Sequence, residues 1–118
     1  MKKLFLFATL VGCLVSASPA GARSAYDGSW DLTFVTQRGA CDPSYNFSVN
    51  ITNGIVTHPN LVKFRGHVAR SGAVRASVTV QDKFASGAGK LTGNSGRGAW
   101  SGYSAQARCS GYWTAHRN

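Results

Sequence analysis

A chain of 118 residues has room for one folded domain and excludes a multidomain machine. Thirteen Lys and Arg stand against four acids, a formal net charge of +9 with neutral histidines, which favours polyanionic partners such as lipopolysaccharide, acidic polysaccharide, anionic lipid or nucleic acid. The acids are all Asp (Asp27, Asp31, Asp42 and Asp82), three of them early in the chain, so paired-carboxylate catalysis has little to work with.

The first segment reads as an export signal. Lys2 and Lys3 precede an apolar run from Leu4 to Val15, and small residues around Ala20 and Ala22 offer a cleavage site. The run is too short to span a bilayer comfortably. We therefore expect residues 1–22 to be a signal peptide and 23–118 the mature domain, periplasmic or secreted. Its removal takes two lysines and no acid, leaving a net charge of +7. Leu10-Val-Gly-Cys13 resembles a lipobox, but Leu14 and Val15 continue the apolar run. Cys13 is read as an ordinary residue of that run, with lipid anchoring through it as the alternative.

From there, apolar and polar residues alternate at period two, with no sustained helical stripe, which predicts an all-β, antiparallel domain. Eight strands are expected, over 29–37, 45–52, 55–58, 61–69, 73–81, 87–93, 98–102 and 109–117. In the second, Tyr45, Phe47, Val49 and Ile51 share one face, and Asn53-Gly54 then predicts a two-residue type I′ turn. That register pairs Ile51 with Val56 and Val49 with His58, aiming His58 inward. A three-residue loop Arg70-Ser71-Gly72 would pair Val68 with Val74, Phe64 with Val78 and Val62 with Val80. It leaves Lys63, Arg65, His67 and Arg75 as a basic outer stripe. The sixth and seventh strands are glycine-rich, and their glycines should make room for the Trp100 and Trp113 indoles. Serines are assigned mostly to turns.

Eight hairpin-linked strands suggest a small up-and-down barrel or a rolled sandwich. In an exported domain Cys41 and Cys109 form the default bridge. An even strand count brings them to the same end. There the connections 38–44, 58–60, 82–86 and 103–108 are expected to be long, whereas the opposite end carries tight turns at 53–54, 70–72 and 94–97. Functional groups favour longer loops on a rigid scaffold. The candidate ligand-binding residues are accordingly Arg38, His58, Asn60, Lys83, Phe84, Tyr103 and Arg108, joined by Asp42 and Gln106. No nucleophile elbow, metal-ligand spacing or catalytic pairing is present, so no enzyme, metal or cofactor is expected. Haem held by His58, with Tyr45 or Tyr103 as a second ligand, is the sharper alternative for that histidine.

The set Gly28-Ser-Trp30, Cys41 with Cys109, Ile51-Thr-Asn-Gly54, Ser71-Gly-Ala-Val74, the Gly87–Gly93 run, Gly98-Ala-Trp100 and the segment from Cys109 to Arg117 resembles a family of short exported proteins of rhizobia-like alphaproteobacteria. Some members carry a haem-utilisation or adhesion label. Gly-x-Trp on the first strand is also similar, at the level of fold, to lipocalin-, avidin- and bacterial inhibitor-type barrels. The expectation is a monomeric, non-catalytic binding module for an anionic envelope or extracellular glycan. A protein inhibitor of a protease or lysozyme is the second reading and haem capture the third.

Overall fold

The computed structural model describes residues 25–60, 63–105 and 107–118. The expected signal peptide, Cys13, Leu61, Val62 and Gln106 lie outside those residues. Eight antiparallel strands close into one up-and-down barrel: β1 (Gly28–Arg38), β2 (Ser44–Thr52), β3 (Ile55–Thr57), β4 (Phe64–Val68), β5 (Ala73–Val80), β6 (Lys83–Thr92), β7 (Ser95–Ser104) and β8 (Ala107–Arg117). Every neighbour in sequence is a neighbour in space, and β8 returns to pair with β1. Closure pairs every strand with two neighbours, although the short β3 covers only Asn50 to Thr52 of β2.

The alternation of the sequence sets the two surfaces. Ile51 pairs with Val56 across Asn53-Gly54, whose φ values of 54° and 81° match a type I′ turn. Val68 pairs with Val74 and Phe64 with Val78, while His67 meets Arg75 on the outer face. Val49, Ile51, Val56, Val68, Leu91, Trp113 and Ala115 are buried and fill the end that carries these turns. Trp30, 1% exposed, sits among them, and its indole N–H donates to the Tyr26 carbonyl at 2.8 Å. A buried indole needs such a partner, because an unpaired N–H would forfeit its bond to water.

At the other end Cys41 and Cys109 are bridged across 68 positions of sequence, with Cα atoms 6.1 Å apart. The bridge ties the segment after β1 to the start of β8. Thr36 reinforces it: its amide donates to the Pro43 carbonyl and its hydroxyl to that of Asp42.

The glycine-rich strands correct the expected boundaries. β6 and β7 each run for ten residues rather than the shorter stretches anticipated. Val80 pairs with Lys83 and Ser104 with Ala107, so two of the four connections expected to be long span only two residues. Thr92 likewise pairs with Ser95, shortening the turn expected at 94–97. Most serines of the described region, Ser77, Ser86, Ser101 and Ser110 among them, lie in strands rather than turns. The fourth strand begins at Phe64, and the expected partner of Val80, Val62, lies outside the described residues.

Candidate functional site

The antiparallel register assembles one row of side chains around the barrel. Arg65 on β4 pairs with Ser77 on β5, Ser77 with Ser86, Ser86 with Ser101, Ser101 with Ser110, and Ser110 with Arg38 on β1. The row crosses six strands with four hydroxyls between two guanidinium groups. At the spacing of paired strands its arc is about 24 Å.

Arg38 reaches this row because β1 is irregular there. Thr36 shares inward parity with Trp30, Leu32 and Phe34, and in an unbroken ladder Arg38 would share it too. The register shifts between Thr36, opposite Gly111, and Arg38, opposite Ser110, leaving Gln37 as an extra residue. A bulge of this kind re-aims the following side chain, here onto the outer surface.

Two open hollows lie along the belt and share Ser86 and Ser101. One is bounded by Arg65, His67 and Arg75, with the small side chains of Ser77, Ala88 and Ala99 as its floor. The other is bounded by Arg38, Arg108, Phe84 and Tyr103 and continues over Ser110. Phe84 and Tyr103 are cross-strand partners with ring centroids 5.8 Å apart, tilted by 32°. The Arg108 guanidinium lies 6.0 Å from the Tyr103 ring centre. No carboxylate lines either hollow. Chemically the belt offers four guanidinium donors, hydroxyls that both donate and accept, and one aromatic wall.

The sequence-predicted site residues are sorted by this geometry. Arg38, Phe84, Tyr103 and Arg108 come together on the outer belt. All four belong to strands, at the rim, rather than to the long loops expected to carry them. Lys83 instead lines the interior of the barrel mouth, where Phe84 and Tyr103 also contribute. His58 and Asn60 line neither surface among the cavities that hold the other candidates. The half-buried His58 ring lies 6.1 Å from Phe47 and 6.5 Å from Phe64, and its Nδ1 accepts the Asn60 amide at 3.0 Å. Asp42 is exposed in the bridged segment, where its amide donates to the Tyr45 hydroxyl.

Ser77, Ser86, Ser101 and Ser110 were not anticipated as site residues, nor was the basic stripe of Arg65, His67 and Arg75 assigned a ligand. Their common signal is outward parity at matched register, which needs the true lengths of the turns after β5 and β7. Compared with family models, with curated proteins and with solved structures, the chain finds no match in any of the three.

Proposed function

We propose that this protein is an exported, non-catalytic binding module that holds an extended anionic glycan along its outer belt. The observation that carries the reading is the in-register row from Arg65 through four serines to Arg38. A linear acidic polysaccharide presents carboxylates or sulfates at intervals and hydroxyls between them. Guanidinium groups pair with the former, often through two parallel hydrogen bonds, and serine hydroxyls with the latter. The tilted Phe84–Tyr103 pair adds a face on which a sugar ring can lie. Individual exposed contacts of this kind are weak, so affinity comes from several engaged at once. The bridge between Cys41 and Cys109 agrees with an oxidising compartment and hence with export by the N-terminal segment.

Binding to oligogalacturonate and oligo-alginate, measured by calorimetry against neutral dextran, tests the reading. Affinity should fall steeply as salt is raised, because the charges are exposed and screened. Arg65→Gln with Arg75→Gln at one end, or Arg38→Gln with Arg108→Gln at the other, should each cost about tenfold, equivalent to about 1.4 kcal/mol. Equal binding of dextran, insensitivity to salt, or unchanged affinity in both double variants would remove the belt as the site. Single-stranded DNA bound as tightly as the uronates would reduce the belt to a general polyanion surface.

A further inference from the structure

A separate cavity of about 360 Å³ occupies the barrel interior at the bridged end. Its volume falls within the roughly 300–1,000 Å³ of small-molecule sites, at the small end. Phe34, Phe47 and Phe64 form one wall, from β1, β2 and β4, and Trp100 closes part of it from β7. Phe34 meets Phe47 and Trp100 edge to face, with ring centroids 5.7 and 6.1 Å apart. The facing wall is smaller: Val78 and Val80 on β5 and Ala85 on β6 line it, and Ala85 pairs with Gly102 on β7, which adds no side chain. This asymmetry is the physical origin of the space. Aromatic rings on one side meet only valine and alanine on the other. Beneath lies a void of about 40 Å³ that shares Phe34, Phe64, Val78 and Ala85 and reaches Trp113.

A structural core is packed to the density of an organic crystal, and unfilled volume weakens it. A cavity walled by aromatic carbon, yet open at a rim of different chemistry, is suited to a ligand with two parts. The polar groups at the mouth are Lys83, Tyr103, Ser104 and Tyr45, whose hydroxyl accepts the Asp42 amide. Arg38, Lys63, Lys83 and Arg108 at this end outnumber Asp42 and Asp82. We infer that the barrel interior binds a single-chain amphiphile with an anionic head, its alkyl tail against Phe34, Phe64 and Trp100 and its head beside Lys83. The volume suits one chain rather than the two of a membrane phospholipid. This site is independent of the glycan belt, although Phe84 and Tyr103 border both.

Titration of the mature, oxidised protein with octanoate, decanoate and dodecanoate below their micelle-forming concentrations tests the inference, with tryptophan emission as the readout. Saturable binding that tightens with chain length is expected. Dodecanol should bind more weakly than dodecanoate, and dodecylamine more weakly still. Ala85→Leu and Val78→Phe fill the cavity from neighbouring strands, and each should lower dodecanoate affinity by about tenfold or more. Lys83→Gln should narrow the gap between dodecanoate and dodecanol, whereas Arg65→Gln with Arg75→Gln should leave it unchanged. Should a filled variant fail to fold, dodecanoate-induced amide shifts in the unmodified protein still locate the ligand, and they should centre on Phe34, Ala85 and Trp100. Absence of saturable binding, equal affinity for dodecylamine, shifts centred away from the cavity, or binding seen only with phospholipid vesicles would overturn the inference.

Discussion

Arg117, the penultimate residue, holds the end of the barrel opposite the bridge. Its Nε donates to the Asn94 side-chain oxygen at 2.9 Å, and its Nη1 donates to the carbonyls of Ala25 and Asp27 at 3.0 and 2.9 Å. Nη2 reaches the Gly93 carbonyl at 3.3 Å, and the guanidinium lies 5.1 Å from the centre of the Trp30 ring. One planar fork thus joins the residues before β1, the turn after β6 and the most buried indole. Lysine cannot reproduce this, because its donors radiate from a single nitrogen and it lacks a flat face. Arg117→Lys should therefore cost about 1–2 kcal/mol, and Arg117→Ala somewhat more, although the lysine keeps the charge. Urea denaturation checks both. A lysine variant as stable as the parent would show that charge alone matters at this position.

Strands β6 and β7 show where element-scale reasoning from sequence succeeds and where it stops. Asn53-Gly54 and Gly72 announce their hairpins, because each supplies the positive φ its turn requires, and the pairings of Ile51 with Val56 and of Phe64 to Val68 with Val74 to Val78 follow. The turns after β5 and β7 give no such signal. Gln81 and Ala105 adopt φ of 56° and 55°, a region costly for residues with a Cβ, so neither stretch advertises a tight turn. The serine belt was hidden for the same reason, since its register depends on those two turns. The role of the glycines, in contrast, was legible. A Cβ on Gly89 would lie 2.6 Å from Trp113 Cζ2, and one on Gly98 2.7 Å from Trp113 Cε2. The same Cβ atoms would press still closer on the backbone carbonyls of Arg97 and Ala88, so room for the indole and close approach of the paired backbones together explain why both strands run through residues that ordinarily weaken a sheet. Gly98→Ala should cost about 2–3 kcal/mol by overpacking. Gly93→Ala, at a φ of 62° with open space around it, should cost about 1 kcal/mol through backbone strain alone. Thermal melts of the two variants separate these mechanisms, and equal losses would mean that the indole and the facing β6 backbone both yield to an added methyl.

At the scale of the whole molecule, the two ends of the barrel are secured by different means. Arg117 gathers backbone carbonyls at one end, while a covalent link holds the other, where both proposed sites converge on Phe84 and Tyr103. The link joins positions 68 apart, so in the unfolded chain it closes most of the barrel-forming sequence into a loop. On chain-entropy grounds such a closure stabilises by about 4 kcal/mol, a large share of the roughly 5–15 kcal/mol typical of a folded domain. It also has a local consequence. Cys41 lines the interior cavity, and the bridged segment follows directly on Arg38, so the link shapes the mouth and one end of the belt together. The Cys41→Ser, Cys109→Ser double variant should lose about 4 kcal/mol in urea titration. Its amide hydrogens should exchange faster around Thr36 and Tyr45 than around Trp30 and Val49, because opening begins where few other contacts remain. Uniform acceleration at both ends would mean that the barrel opens only as a whole, and that the link stabilises it solely by restricting the unfolded chain.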